Sequence, residues 1–218
     1  MSPWSSIPAS PPFVLKCDRP FVDHFNQVRA KDNTRIHTDL LPEPYFGNQN
    51  AQVVILLLNP RVGKSDANLH GTPEFARSLR AALGSSSEQI HFYLSCESRG
   101  TGSMWWERTC KALLTEVTKD ELSRRLLTVE YSPYHSKGFG HGDYRLPSQE
   151  FGFNLVRRAI DRNALIVCMR GERFWLGAIP QLATHKRVLK LRNPRSASLS
   201  PGNLDDFKKL LAALRVAT

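Results

Sequence analysis

Cysteine is scarce in this chain, and no two cysteines stand close together. Four cysteines are spread over 218 residues, and none forms a CxxC pair. Zinc ribbons and iron–sulfur proteins need such pairs, so the spacing argues against a metal centre and against a disulfide framework. Cys110 and Cys168 lie within apolar patterns that are typical of a core. We therefore expect free thiols and no bound metal.

Long hydrophobic runs are also missing. The longest apolar run covers residues 53–58, far short of the roughly 20 residues that cross a bilayer. Residues 1–12 are rich in serine and proline and lack the basic start and the apolar stretch that are typical of a secretory signal. We therefore expect a cytoplasmic protein with no membrane partner.

Several catalytic and cofactor motifs are absent or incomplete. The GKS triplet at 63–65 follows a strand, but Leu58 stands where a phosphate-binding loop needs its first glycine. No G-x-S-x-G elbow is present for a serine nucleophile. His135, His141 and Asp143 match no zinc-ligand spacing. We expect no nucleotide cofactor or metal, and a polar loop around these histidines.

Acidic residues are outnumbered by basic ones. The chain has 30 Lys plus Arg and 20 Asp plus Glu, which gives a net charge of +10 and an isoelectric point of about 9.8. Such a field attracts polyanions, so the composition suggests a polyanionic partner, either nucleic acid or an anionic membrane surface.

Strand and helix patterns alternate from residue 52 onward, which predicts an α/β fold. We expect three layers, in which helices flank a central, mainly parallel sheet of four to five strands. The predicted strands are 52–58, 90–94, 127–131, 164–169 and 187–191. The predicted helices are 73–83, 104–118, 148–161, 172–178 and a closing helix at 204–215, capped by Asn203. Between them, 132–147 is predicted to be a long loop that lines a site.

The first 50 residues differ in character from the rest. They are irregular and rich in proline, so we expect an N-terminal wrap at 1–50 and a single α/β domain at 51–218. One short helix is predicted at 18–29, in which Phe21, Val22 and Phe25 are buried.

Two similar turns follow two of the predicted strands. Asn59-Pro60-Arg61 comes after the strand at 53–58, and Asn193-Pro194-Arg195 comes after the last strand. Proline holds the preceding residue in extended backbone and ends each strand sharply. The carboxyl ends of parallel strands share one edge of the sheet, so both asparagines are candidates to line a cleft there.

These turns and their surroundings resemble the uracil-DNA glycosylase superfamily over roughly residues 50–215. Leu57-Leu58-Asn59-Pro60 resembles the first motif in its mismatch-specific and single-strand-selective form. The segment 193–200, NPRSASLS, resembles the second motif, although it has two extra residues before its leucine. Met104-Trp105-Trp106 resembles the aromatic helix after the family's substrate loop, and Glu130 to Pro133 falls where its base-recognition strand ends. Arg61 departs from the glycine or tyrosine usual after the first proline.

The resemblance implies a monofunctional DNA glycosylase without a cofactor, a hydrolase that flips a base and cleaves its N-glycosidic bond. Asn59 would position the attacking water, and Asn193 would contact the departing base or a phosphate. Leu199 is the candidate wedge for the space left by the flipped base, and its alternative is a loop leucine packed on the closing helix. Phe92, Tyr93 and Trp105 are candidates to stack on the base; Phe92 and Trp105 are equally compatible with a core role. The expected DNA-binding residues are Arg61, Lys186, Arg187, Arg192, Arg195, Ser196 and Leu199.

Glu130 stands where uracil-removing relatives place an asparagine. A carboxylate accepts hydrogen bonds, for example from the exocyclic amine of cytosine. Two substrates stay open: a modified cytosine of the kind found in some viral DNAs, and a uracil-like base with Glu130 in a structural ion pair. The corresponding roles are antiviral defence and base excision repair.

Two other function classes remain open. One is a non-catalytic DNA-binding protein of the same fold, in which the second Asn-Pro turn serves only the backbone. The other is an enzyme that acts on free nucleotides or nucleosides, whose activity would depend weakly on salt. In each case we expect a monomer.

Overall fold

The computed structural model describes residues 2–63, 65–84, 91–95 and 100–215, and within them the chain forms one five-stranded sheet. The strands are β1 (Tyr45–Gly47), β2 (Val53–Leu57), β3 (Leu126–Glu130), β4 (Leu165–Cys168) and β5 (Val188–Lys190). Their order is β1-β3-β2-β4-β5. All pairings are parallel except that of β1 with β3, which is antiparallel. The α/β prediction is confirmed at this level.

The helices connect and flank these strands. They are α1 (Arg19–His24), α2 (Asp66–His70), α3 (Pro73–Gly84), α4 (Thr101–Thr109), α5 (Lys119–Arg125), α6 (Gln149–Asp161), α7 (Glu172–Ala178) and α8 (Phe207–Arg215). A π-helical turn, Phe25–Arg29, extends α1, and short 3-10 turns lie at Pro3–Ser6 and Pro180–Ala183. A capping box starts α5, in which Thr118 and Glu121 satisfy each other's backbone N–H groups.

The strand order places a reversal at the centre of the sheet. The chain passes from β2 to β3 on one side and then returns past β2 to β4 on the other. Loops at such a reversal leave the sheet in different directions and open a crevice at the carboxyl ends of the strands. Every residue of β2 and β3 is buried, as expected for strands covered on both faces.

The N-terminal residues pack into the same core as the sheet. Trp4, Leu15 and Val22 are buried members of the core cluster. Asp18 is fully buried and accepts hydrogen bonds from the Tyr134 hydroxyl and from the Ser148 backbone N–H. These contacts attach the first segment to the loop after β3 and to the start of α6.

The predicted strand at 90–94 is wrong for residues 91–94, which form loop and turn structure, while residue 90 lies outside the described residues. The fifth strand is instead β1, whose three residues are too few to show a period in the sequence. Phe92 and Leu94 are buried within the turn, so their apolar character reflects burial and not a strand.

Three helix details also differ from the predictions. The helix predicted at 104–118 ends at Thr109 and continues as turns. Phe21, predicted to be buried, is 40% exposed on α1. Asn203 does not cap α8, because its side chain braces the loop before it by donating to the carbonyls of Ser196 and Ser198.

Within the described residues, none of the helices combines the length and the apolar character needed to cross a membrane.

Candidate active site

A cavity of about 240 Å³ opens at the carboxyl ends of β2, β3 and β4. Cavities for drug-sized ligands usually enclose roughly 300–1,000 Å³, so this one suits a small ligand. Three strand ends contribute to it: Asn59 after β2, Glu130 at the end of β3, and Arg170 after β4. Its other charged lining residues are Glu43, Arg61, Asp66 and Lys137, and its aromatic ones are Phe46, Tyr93, Trp105, Trp106 and Phe139.

Asn59 has a fixed side-chain orientation in this cavity. Its Nδ2 donates to the carbonyl oxygens of Pro60 and Ser136, each at 3.1 Å, and to the Ser136 hydroxyl at 2.9 Å. Carbonyl oxygens only accept, so the amide NH₂ must face them. Among the described residues, Oδ1 has no hydrogen-bond partner. The side chain therefore offers the cavity a held acceptor.

Neighbouring strands hold the turn that carries Asn59. The buried indole of Trp175 on α7 donates to the Leu57 carbonyl at 2.8 Å. The Ser132 backbone N–H donates to Leu58 O at 2.7 Å, and the Ser136 N–H donates to Pro60 O at 3.2 Å. The loop after β3 thus continues the pairing beyond the strands and fixes the backbone on both sides of Asn59.

Glu130 reaches the cavity from β3 with little support from other side chains. It is 7% exposed, and its Oε2 has no hydrogen-bond partner. It forms no ion pair within the described parts of the chain, so the expectation of a structural ion pair is not met there. Burial raises its pKa well above the usual value, the charge of Glu43 adds to the rise, and Arg170 lowers it in part.

Glu43 is the second buried carboxylate of the cavity, and its surroundings differ. It accepts a hydrogen bond from the Tyr93 hydroxyl, and its Oε1 lies 3.4 Å from His70 Nε2 and 3.9 Å from His135 Nε2. Burial alone would raise the pKa of Glu43, but His135, His70 and Tyr93 together lower it to about 2. Glu43 is therefore ionised at neutral pH.

Glu43, His70 and His135 are also residue types that hold zinc or iron, and their ligand atoms lie within 4.8 Å of one another. However, His135 Nε2 donates to the Leu41 carbonyl at 3.1 Å, and Tyr93 already bonds Glu43. Glu43 and His135 are therefore held by hydrogen bonds, whereas among the described residues neither ring nitrogen of the buried His70 has a hydrogen-bond partner. The sequence-based expectation that the site has no metal stays a prediction.

Three of the buried histidines near the cavity, His91, His135 and His141, are neutral at neutral pH. Burial lowers the pKa of His91, His135 and His141 to about 4 in each case. His141 Nε2 and the Ser132 hydroxyl are hydrogen-bonded at 2.8 Å. Residues 132–147 form a loop, as predicted, and the loop folds the rings of His135 and His141 inward.

Two of the three predicted stacking aromatics line the cavity. Tyr93 and Trp105 do so, and Trp105 is half-buried. Phe92 does not line it, because its ring packs edge-on against Phe46 at 5.3 Å and near Trp106 at 5.1 Å. Phe92 is a core residue, as the alternative interpretation of the sequence held.

The second Asn-Pro turn lies apart from the cavity. Asn193 follows β5, which is separated from β2 by β4, so about two strand spacings, or roughly 10 Å, separate the two turns. Asn193 is exposed, and its Oδ1 accepts from the Arg195 backbone N–H at 3.0 Å. The predicted contact with a base in the cavity is not supported by this position, whereas contact with a phosphate stays a prediction.

Leu199 is fully buried, and its backbone N–H donates to the Thr109 carbonyl at the end of α4. A wedge must reach solvent to enter a base stack, so the predicted wedge role is wrong for this conformation. The loop leucine packed in the core is the arrangement observed.

The predicted basic cluster is split between two edges of the sheet. Arg192, Arg195 and Ser196 follow β5 and are exposed on the carboxyl edge, and Arg61 reaches the cavity on the same edge. Lys186 and Arg187 precede β5 and lie on the opposite edge, where Arg187 O accepts from the first half of β4. Strand direction therefore removes these two residues from the predicted set around the cavity.

Four charged lining residues were missed by sequence reasoning. Arg170 directly follows a correctly predicted strand, so its position was a usable signal. Lys137 lies in the glycine-rich loop that was predicted to line a site. Asp66 and Glu43 carry no such signal, since Asp66 follows an irregular loop and Glu43 lies between two prolines.

The thiols described by the structure are unpaired, namely Cys17, Cys110 and Cys168, and Cys96 lies outside the described residues. Burial raises the pKa of Cys168 to about 12 and that of Cys110 further. Neither buried thiol is a nucleophile at neutral pH. Lys64 of the GKS triplet also lies outside the described residues.

No known protein family, curated protein or solved structure matches this chain.

Proposed function

We propose that the protein is a DNA glycosylase with a fold of the uracil-DNA glycosylase type. Asn59 is the single feature that carries the proposal. Three acceptors hold its amide nitrogen, and its oxygen is free toward a cavity at the carboxyl edge of the sheet. This arrangement suits the orientation of one water molecule against a bound substrate.

The chemistry expected of such a site is stepwise. Cleavage of an N-glycosidic bond develops positive charge on the sugar and negative charge on the departing base. An amide oxygen is too weak a base to take a proton from water early. Asn59 therefore orients a water that attacks after the bond is largely broken, and the nearby ionised Glu43 favours the positive sugar.

The rest of the cavity supports a flipped base as the ligand. Its volume of about 240 Å³ suits a single nucleobase, and the half-buried Trp105 lines it as a candidate to stack on the base. Arg61 and Lys137 stand on the lining where phosphates would approach. The order of the elements also agrees with the family, because the second motif follows the last strand and α8 closes the chain.

Either of two substrates fits this proposal: a uracil-like base in repair, or a modified cytosine in defence against viral DNA. The glycine-rich loop at 137–142 forms part of the cavity wall, so a substituent on the base would extend beneath it. Glu130 faces the cavity without an ion pair among the described residues, which favours a role in base recognition.

The experiment is incubation with oligonucleotides that carry uracil, hypoxanthine or modified cytosines, followed by alkaline cleavage at abasic sites. We expect cleavage of one substrate class by the wild type and none by Asn59→Ala. Cleavage that is equally fast with Asn59→Ala would contradict the assignment of the water-positioning role.

A non-catalytic DNA-binding protein of the same fold is the second candidate. One observation favours it: Asn193 uses its side-chain oxygen on its own turn, as expected if that turn only shapes the backbone. This candidate predicts salt-sensitive binding to DNA with every base left intact.

A further inference from the structure

The two buried carboxyl groups of the cavity differ in their polar neighbours. Glu43 has a donor from Tyr93 and two imidazoles within 4 Å. Glu130 has a buried Oε2 with no partner. Two carboxyl groups whose surroundings favour opposite protonation states at one site are the usual basis of an acid–base division of roles.

The charged residues that line the cavity with Glu130 come from several elements. Glu43 and Asp66 are negative, while Arg61, Lys137 and Arg170 are positive. Within the described residues, none of the three cations pairs with Glu130 within 4 Å. A carboxyl group that is buried, unpaired and next to an ionised carboxylate is most stable in its neutral form.

A neutral carboxyl group offers one donor and one acceptor. The pairing edge of cytosine presents the complement, because ring N3 accepts and the exocyclic amine donates. The pairing edge of uracil also offers one acceptor and one donor, but its N3 already carries a hydrogen. Hydrogen bonding alone therefore fits both bases, whereas only the cytosine-type ring can take a proton at N3.

We propose that Glu130 is the general acid of this site and protonates ring N3 of a departing cytosine-type base. The inference rests on the proposed glycosylase function and names its substrate class and its proton donor. Asn59, just after β2, orients the water, and Glu130, at the end of β3, delivers the proton, so two neighbouring strand ends supply the two roles.

The proton balance of the step is complete. The bond between sugar C1′ and base N1 breaks, and its electron pair stays on the base while N3 receives the Glu130 proton. The base leaves neutral. Water adds to C1′ as hydroxyl, and its second proton passes to solvent, from which the Glu130 carboxylate is protonated again. No metal, oxidant or cofactor takes part.

The test compares wild type with Glu130→Gln on a duplex that carries the cleaved cytosine derivative. Glutamine keeps one donor and one acceptor but has no proton to transfer. We expect near-normal binding, and a single-turnover rate that is lower by about 100-fold or more, the usual range for a lost general acid. The wild-type rate should fall as the pH rises through the pKa of Glu130, and the residual rate of the variant should not.

A readout without DNA separates this inference from the proposed function. In protein labelled with ¹³C at glutamate carboxyl carbons, the signal absent from Glu130→Gln should remain that of a neutral acid at neutral pH. A signal that titrates near the ordinary value of about 4.3 would overturn the inference. Equal rates for variant and wild type would overturn it while leaving the glycosylase standing. Absence of base release by the wild type from every substrate would overturn both.

Discussion

At the scale of single residues, the two Asn-Pro turns differ in what their amide oxygens do. The oxygen of Asn59 is free toward the cavity, and that of Asn193 is bonded to its own turn. They therefore make a matched pair of variants. We expect Asn59→Ala to lower the single-turnover rate of base release by about 100-fold or more, because alanine cannot orient the attacking water.

Asn193→Ala should leave the rate of that step close to wild type, since its side chain does not line the cavity. Rates of base release at saturating enzyme compare the two variants directly. Equal losses in both would contradict the separation of the turns. A loss confined to Asn193→Ala would show that the cavity is not the reaction site.

A second residue-scale prediction concerns stability in acid. His141 is buried, and its pKa is lowered from 6.5 to about 4 by that burial. The unfolded chain binds a proton in this window and the folded chain does not, so stability falls as the pH drops from about 6.5 to about 4. This one histidine contributes about 3 kcal/mol to the loss.

Denaturant unfolding at several pH values checks this prediction. His141→Gln keeps a group that can bond the Ser132 hydroxyl but does not titrate, so its free energy of unfolding should depend less steeply on pH. His91 and His135, with similarly lowered pKa values, keep part of the slope in the variant. An unchanged slope would mean that His141 is not neutral and buried in solution.

At the scale of elements, two helical glycines test how closely α4 approaches the cavity wall. A Cβ on Gly102 would lie 2.5 Å from the Tyr93 ring, while a Cβ on Gly177 in α7 would meet nothing within 4 Å. Gly177→Ala should stabilise the protein by about 0.5–1 kcal/mol through helix propensity. Gly102→Ala should destabilise it by about 1–3 kcal/mol through overpacking.

Thermal and denaturant unfolding of both variants measure these opposite signs. Gly102→Ala should also displace Tyr93, which bonds Glu43, so base release should fall with stability. Stabilisation by both substitutions would show that α4 is farther from Tyr93 than the structure places it.

The strands show how much of the fold could be predicted from the sequence. Four of the five strands were predictable, because each lies within a segment of the sequence in which apolar residues predominate. β1 was not predictable, since its three residues between prolines and a turn show no alternation of apolar and polar residues. Its pairing with β3 depends on residues that are far away in the sequence. Residues 91–94 carried a strand-like pattern because Phe92 and Leu94 are buried in a turn.

The site was predictable where it follows strand ends. Asn59 stood out for that reason, whereas Glu130 stood out through the resemblance to uracil-removing relatives, and both line the cavity. The resemblance of residues 193–200 to the second motif misled the interpretation of Leu199, because its side chain is buried in the core. Glu43 could not be predicted from the sequence, since its position depends on tertiary contacts with His70 and His135.

At the scale of the whole molecule, the net charge of +10 predicts DNA binding that weakens steeply with salt. The direction of the strands shows which cations lie on the same edge of the sheet as the cavity. Lys137 lines the cavity, whereas Lys186 lies before β5 on the opposite edge. Lys137→Ala should reduce the slope of log affinity against log salt by about 1, and Lys186→Ala should leave it unchanged.

Fluorescence anisotropy with a labelled duplex over a range of salt concentrations gives these slopes. Equal reductions in both variants would mean that the DNA covers both edges of the sheet. A reduction only in Lys186→Ala would place the DNA on the far edge, away from the cavity.

The most direct test of the central claim is mass spectrometry of the free base released from defined DNA. The account predicts one free base and one abasic site per cleaved molecule with the wild type, and neither with Asn59→Ala. Salt-sensitive binding of the same DNA with no base released from any substrate would contradict a glycosylase and leave the DNA-binding protein as the better description.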